Sequence, residues 1–204
     1  MTGVPDSMPP SIPQSMAILV LGGGGREHAI CWRLAQSPRC RRLLCAPGNA
    51  GIAEEAECVE LAITDPTAVT AFVAQHKVDL VIIGPEAPLV AGVADALRAA
   101  GVPVVGPSQA AAELEASKGF TKDLCAQHAI PTAGYRRFAG AADAHHYVAV
   151  HPLPVVVKAD GLAGGKGVTV AETNEEGLAA LAKIHGPVVG EECLEGPETG
   201  LFIL

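Results

Sequence analysis

The chain has 204 residues, 49% of them hydrophobic, enough for one large or two small domains with a buried core. A formal net charge of −8 and only 3% aromatic residues argue against a nucleic-acid surface, which needs a basic footprint and usually stacking platforms. Small anions stay within reach of local lysines and helix N-termini. Cys31, Cys40, Cys45, Cys58, Cys125 and Cys193 show neither C-x-x-C spacing nor nearby histidine pairs, and so read as reduced thiols of a cytoplasmic protein. No apolar run reaches membrane-spanning length and no signal peptide opens the chain, so no membrane partner is expected.

Residues 1–15 carry four prolines and three serines ahead of any periodic pattern and read as a disordered leader. Translation from Met1 or from Met16 fits equally. From Ala17 short apolar runs alternate with helical patterns, the mark of a parallel sheet covered on both faces. Strands are expected at 17–21, 42–46, 58–61, 79–84 and 103–106, and helices at 26–36, 66–76 and 89–100. This first domain should end near Pro107. A helix over 117–128 then leads into a unit of different rhythm: strands at 154–160 and 168–172 paired as a hairpin, a helix at 174–184 and a strand at 187–192. The final run, LFIL at 201–204, reads as a further strand.

Gly22 to Gly25 follow the first strand and precede Arg26-Glu27-His28, which places backbone N–H groups at a helix N-terminus. The match to a dinucleotide fingerprint is partial, because the third glycine would fall at Glu27 and no acidic residue closes the second strand. A tight turn without ligand fits as well. Two more loops follow strands, Ala46 to Gly51 and Gly84 to Leu89, and all three should converge at the carboxyl edge of the sheet, where open α/β sheets bind ligands. Glu86 suits sugar hydroxyls, an amine or plain solvent. His28, on a helix that begins at the turn, reads as structural.

The stretch Val155 to Val168, VVVKADGLAGGKGV, sets Lys158, Lys166 and four glycines beside a buried strand. It suits a polyphosphate grip, with a glycine-rich hairpin bearing solvated lysines as the simpler alternative. It is not a Walker loop, since Val168 rather than a magnesium-binding Ser or Thr follows Lys166-Gly167.

LGGGGREHAI, APGNAG, GPEAPLVAGV, ELEASKGFTKDL, IPTAGY, VVVKADGLAGGKGV and EECLEGPE stand in this order and spacing from Met16 onward. Together they closely resemble the glycinamide ribonucleotide synthetases (phosphoribosylamine–glycine ligases), over about half of a family member. The resemblance implies an α/β chain with a Rossmann-like N-terminal domain (16–107) followed by the first α+β part of an ATP-grasp domain (108–204). It also implies ligation of glycine to 5-phosphoribosylamine with ATP, through a glycyl acyl phosphate. In the ATP site it sets Lys118 and Lys158 on the phosphates under a lid of Gly164, Gly165, Lys166 and Gly167. Glu191 and the backbone about Cys193 and Leu194 would meet the adenine and Glu198 the ribose, with Glu192 also in the ATP site. The phosphoribosylamine site would take Gly24, Gly25, Gly48, Asn49, Ala50, Gly51, Pro85, Glu86, Ala87, Pro88, Leu89 and Asp160.

Gly165 stands where the family often has alanine, and Gly200 where a serine is usual. The family's magnesium ligands (Mg2+ or Mn2+) are expected beyond Leu204, so this chain alone is expected to be catalytically incompetent. A non-catalytic phosphoribosyl- or nucleotide-binding fragment is the alternative. A nicotinamide-dependent oxidoreductase would explain nothing after about residue 110.

Overall fold

The computed structural model describes residues 15–164 and 167–201. The leader up to Gln14, Gly165, Lys166 and the LFIL run from Phe202 lie outside the described residues. The chain divides into two compact units, Met1–Ala112 and Glu113–Leu204.

In the first unit five parallel strands, β1 (Met16–Gly22), β2 (Cys40–Pro47), β3 (Glu57–Cys58), β4 (Leu80–Ile83) and β5 (Val104–Val105), stand in the order β3-β2-β1-β4-β5. Alternation along the central strands divides the core into two layers. Leu19, Leu21, Leu44, Val81 and Ile83 pack with Val69 and Val73 of α2 (Pro66–His76) and Val93 and Leu97 of α4 (Val93–Ala99). Ile18, Val20, Leu43 and Cys45 pack with Cys31 of α1 (Gly25–Ala35) and with Ile52. With helices on both faces, this is a doubly wound, Rossmann-like sheet. Asp65 caps α2, accepting from the N–H groups of Thr67 and Ala68, with Pro66 at the first helical position, where its missing N–H costs nothing.

The helix expected over 89–100 is two helices, α3 (Glu86–Val90) and α4, because Gly92 sits at φ 82°, a left-handed conformation that no helix continues through. Strand β3 stops at Cys58 rather than 61. It is an edge strand paired only to β2, and Val59 and Leu61 beyond it pack on the core without extending the ladder.

The second unit holds a four-stranded antiparallel sheet, β6 (Tyr135–Phe138), β7 (Val155–Ala159), β8 (Val168–Ala171) and β9 (Val188–Glu192), in the order β6-β9-β7-β8. The hairpin of β7 and β8 is as expected. Val155, Val157, Ala171 and Val188 cover α7 (Ala141–Val150) and α8 (Asn174–Leu181) through Ala144, Val148, Ala180 and Leu181. Gly190 bears no side chain on that face, where a Cβ would strike the Tyr147 ring. The opposite face carries Val156 and Lys158 of β7 with Val189 and Glu191 of β9. Val156 faces Glu191 and Lys158 faces Val189, so the two charged residues are diagonal neighbours on one face.

Helix α6 (Lys118–Gln127) is capped by Ser117, whose hydroxyl accepts from the Phe120 N–H at 3.0 Å. Three elements, α5 (Gln109–Ala116), β6 and α7, have no counterpart among the expected ones. No helix among the described residues is long and apolar enough to cross a membrane, and the six cysteines are free.

Leu19 is fully buried at the centre of the parallel sheet. Leu19→Ala is expected to cost about 2–5 kcal/mol by removing buried methyl groups and leaving a cavity. Urea unfolding followed by circular dichroism checks this, and an unchanged midpoint would contradict the assignment of the core.

Candidate functional site

In the first unit the three glycine- and proline-bearing loops meet at the carboxyl edge of the sheet. The Gly48 N–H donates to the Gly22 carbonyl at 3.2 Å, and Asn49 Nδ2 to the Gly23 carbonyl at 2.8 Å. Arg26 Nη1 donates to the Gly84 carbonyl at 2.6 Å and lies 3.4 Å from Glu86 Oε1. Gly24, Gly25, Asn49, Ala50 and Ala87 are exposed, Gly48, Gly51, Pro85 and Glu86 half-buried, and Pro88 and Leu89 buried. Gly51 makes room for the His28 ring, against which a Cβ would collide, so His28 is packed into the base of this edge.

The centre of the edge is filled by Glu27. Strands β1 and β4 are neighbours whose following connections run to opposite sides of the sheet, so the crevice between their ends is the topological switch point. The 5% exposed Glu27 side chain lies there. Its Oε2 accepts the Gly24 N–H at 2.7 Å, the N3 half of a capping box whose other half a glycine cannot supply. Gly22 and Gly84 flank it: a Cβ on Gly22 would come within 2.6 Å of Glu27 Cγ, and one on Gly84 would overlap Oε1. A carboxylate thus takes the place at the helix N-terminus that a dinucleotide pyrophosphate would need, which is the physical reason the fingerprint is incomplete. The exposed Gly24–Gly25 turn beside it remains open to a small anionic group.

In the second unit Lys118 and Lys122, four residues apart on one face of α6, line a cavity of about 230 Å³ with Lys158, Glu191, Thr121 and Thr132. Lys158 Nζ donates to Glu191 Oε2 at 2.7 Å, and Lys122 Nζ lies 3.1 Å from the same oxygen. Lys118 Nζ donates to the Gly161 carbonyl at 2.9 Å, in the turn after β7. Asp160, in that turn, accepts from Ser117 Oγ at 3.0 Å and from the N–H groups of Gly119 and Gly161 at 3.3 and 3.0 Å. The start of α6 and the end of β7 are therefore tied through one carboxylate.

Glu192 points away from Glu191, as strand alternation requires, and its Oε1 accepts the Gly134 N–H at 2.7 Å. Cys193 is half-buried, while Gly164, Leu194 and Glu198 are exposed and Gly167 half-buried. Gly165 and Lys166 are outside the described residues. On the β6 edge, Asp123 accepts from the Tyr135 hydroxyl and pairs with Arg137. The hydroxyl first, and the guanidinium second, hold its carboxyl below the usual range. Among the described residues no three His, Cys, Asp or Glu side chains gather as a metal site.

The structure therefore brings Lys118, Lys158 and Glu191 together, and separately the turns at Gly24, Gly48 and Pro85. Sequence reasoning missed Lys122 and the role of Glu27. The i, i+4 spacing of Lys118 and Lys122 was a signal for the first. A glutamate three residues after the capping glycine was a weak one for the second.

The family model described as phosphoribosylglycinamide synthetase, N domain, matches residues 16–115, and that described as its ATP-grasp (A) domain matches residues 116–204. Over 197 residues the chain is 56% identical to a phosphoribosylamine–glycine ligase of Mesorhizobium japonicum and 53% to one of Agrobacterium fabrum. These comparisons cover 93% of this chain and 46% and 47% of those proteins, so the chain spans about half the length of the curated relatives it matches. Among solved structures, the phosphoribosylamine–glycine ligase of Thermotoga maritima is similar at TM-score 0.70 and 26% identity, over 89% of this chain and 44% of that one. The N5-carboxyaminoimidazole synthetase of Staphylococcus aureus, solved with ADP, is similar at TM-score 0.68 and 16% identity over 90% of this chain and 48% of that one, a likeness of fold alone.

Gly84→Ala is expected to destabilise the first unit by about 1–3 kcal/mol, because its methyl group meets Glu27. In a Glu27→Ala background the same change should cost little. Equal losses in the two backgrounds, read from urea midpoints, would contradict the packing described. Both parts of the chain match one family, and the chain belongs to the phosphoribosylglycinamide synthetases, the phosphoribosylamine–glycine ligases, with residues 116–204 falling in their ATP-grasp domain.

Proposed function

We propose that the second unit binds the phosphates of ATP with Lys118 and Lys158, and that the first unit binds the phosphoribosyl group of 5-phosphoribosylamine at the Gly24–Gly25, Gly48–Gly51 and Pro85–Leu89 edge. The observation that carries this reading is the meeting of Lys118 and Lys158, from different elements, at one cavity between α6 and the face of the β7–β9 sheet opposite α7 and α8. Two mobile ammonium groups there suit a polyphosphate, and the family match supplies the chemistry.

The proposed reaction is the ligation of glycine to 5-phosphoribosylamine in purine biosynthesis. A glycine carboxylate oxygen attacks the γ-phosphorus, the bond to the β–γ bridging oxygen breaks and ADP leaves. The amine nitrogen then attacks the acyl carbon and loses a proton, phosphate leaves, and the amide of glycinamide ribonucleotide remains. Charge neutralisation and positioning are most of what a protein supplies to phosphoryl transfer, and the lysines suit that task. Because the chain spans about half the length of its relatives, we infer that residues 1–204 bind ligands without completing the ligation.

Calorimetric titration of the chain with ATP checks the nucleotide site. Lys158→Met and Lys118→Met should each weaken binding at least tenfold, about 1.4 kcal/mol, and unchanged affinity in both would refute it. ADP release that depends on both glycine and 5-phosphoribosylamine, produced by residues 1–204 alone, would overturn the inferred incompetence.

A further inference from the structure

Of the five ionisable groups that line the cavity of the second unit, Glu115, Lys118, Lys122, Lys158 and Glu191, the last three form one cluster whose hydrogen bonds are unequally shared. Lys122 Nζ lies 2.8 Å from Thr132 Oγ1, 3.1 Å from the Ala133 carbonyl and 3.1 Å from Glu191 Oε2. An ammonium has three N–H donors, and here each has a protein acceptor. Lys158 Nζ has one acceptor among the described residues, Glu191 Oε2 at 2.7 Å. The side chain of Lys122 is 11% exposed and that of Lys158 is 24%. Both cations bind one oxygen of a carboxylate that is 4% exposed, while the other oxygen, Oε1, is buried and accepts no hydrogen bond among the described residues.

A carboxylate buried this far needs a standing counter-charge, since leaving it alone out of water is costly. If Lys158 were the only cation on Glu191, any anion drawing it away would strand that charge. With Lys122 fixed to Thr132, Ala133 and Glu191, the carboxylate stays neutralised when Lys158 turns outward. Its formal charge is cancelled by Lys122, so Lys158 can exchange Glu191 for an anion in the cavity without stranding that carboxylate.

We propose that Lys122 is a positioning residue. It is the permanent counter-ion of Glu191, and by holding that carboxylate it frees Lys158 to leave Glu191 for a phosphate oxygen of the bound nucleotide. This rests on the reading of the cavity as a nucleotide site. It assigns a task to the FTKDL and IPTAGY segments, which bring Lys122, Thr132 and Ala133 together.

A double-mutant cycle on the 204-residue chain tests it, with ATP binding read by calorimetry. In the otherwise unchanged chain, Lys122→Met should weaken ATP binding at least tenfold, because Glu191 then retains Lys158. In a Glu191→Gln background, where nothing holds Lys158 back, Lys122→Met should change affinity by less than about threefold. Equal losses in both backgrounds, as a purely structural lysine would give, or no loss in the first, would overturn the proposal. Lys122→Gln, which keeps a hydrogen bond to Thr132, asks the same question should the methionine variant fold poorly.

A second measurement needs no nucleotide. Acylation of Lys158 by an N-hydroxysuccinimide ester, read by mass spectrometry of the ligand-free chain, should slow at least fivefold in Lys122→Met, and equal rates would overturn the proposal. Absence of ATP binding by the unsubstituted chain at millimolar concentration would instead sink the nucleotide reading, and the acylation comparison would still decide the part played by Lys122.

Discussion

Glu191 Oε2 accepts from Lys158 at 2.7 Å and lies 3.1 Å from Lys122, on a side chain almost wholly removed from water. Much of the second unit is arranged by that requirement. The antiparallel register of β7 and β9 puts Lys158 and Glu191 diagonally on one face, and Gly190 lets the other face close on Tyr147. Helix α6 must present Lys118 and Lys122 on the same side, which its Ser117 cap and the tie from Ser117 and Gly119 to Asp160 secure. A buried ion pair of this kind is a poor source of net stability. Its value lies in specifying where the Lys122 and Lys158 ammonium groups stand.

The first unit buries a carboxylate too, and neutralises it differently. Glu27 is held by a backbone N–H at the start of its own helix, where the helix dipole favours negative charge, and it is accommodated because Gly22 and Gly84 have no side chains. Its consequence is exclusion. The switch-point crevice of a doubly wound sheet is an open ligand groove in dinucleotide-binding proteins, and here its centre is occupied by protein. What remains is an edge of exposed turns at Gly24, Gly25 and Asn49.

Much of this was legible in the sequence. Strongly periodic segments with clear punctuation, such as β1, the Asp65-Pro66 start of α2 and the Val155–Val157 run of β7, could be placed from residues alone. The elements missed have weak signals with identifiable causes. Strand β6 bears two arginines on an edge, α5 is alanine-rich with only Ala112 buried, and α7 presents its core through Ala144 and Val148 among histidines and alanines. Gly92 lies inside the helical pattern of 89–100, and only its left-handed backbone shows that one helix ends and another starts there. For the sites, glycine spacing pointed to the loops, the glycine-rich stretch after β7 to Lys158, and the family pattern to Lys118. The partnership of Lys122 with Glu191 spans 69 positions along the chain and depends on a strand register that periodicity alone does not fix.

The central claim is that Lys158 serves a nucleotide rather than the fold. A crystal structure of the chain with a non-hydrolysable ATP analogue tests it most directly. The account predicts phosphate oxygens within hydrogen-bonding distance of Lys118 and Lys158, with Lys158 withdrawn from Glu191 and Lys122 still upon it. An analogue bound elsewhere, or one bound here with the Lys158–Glu191 contact intact, would contradict it.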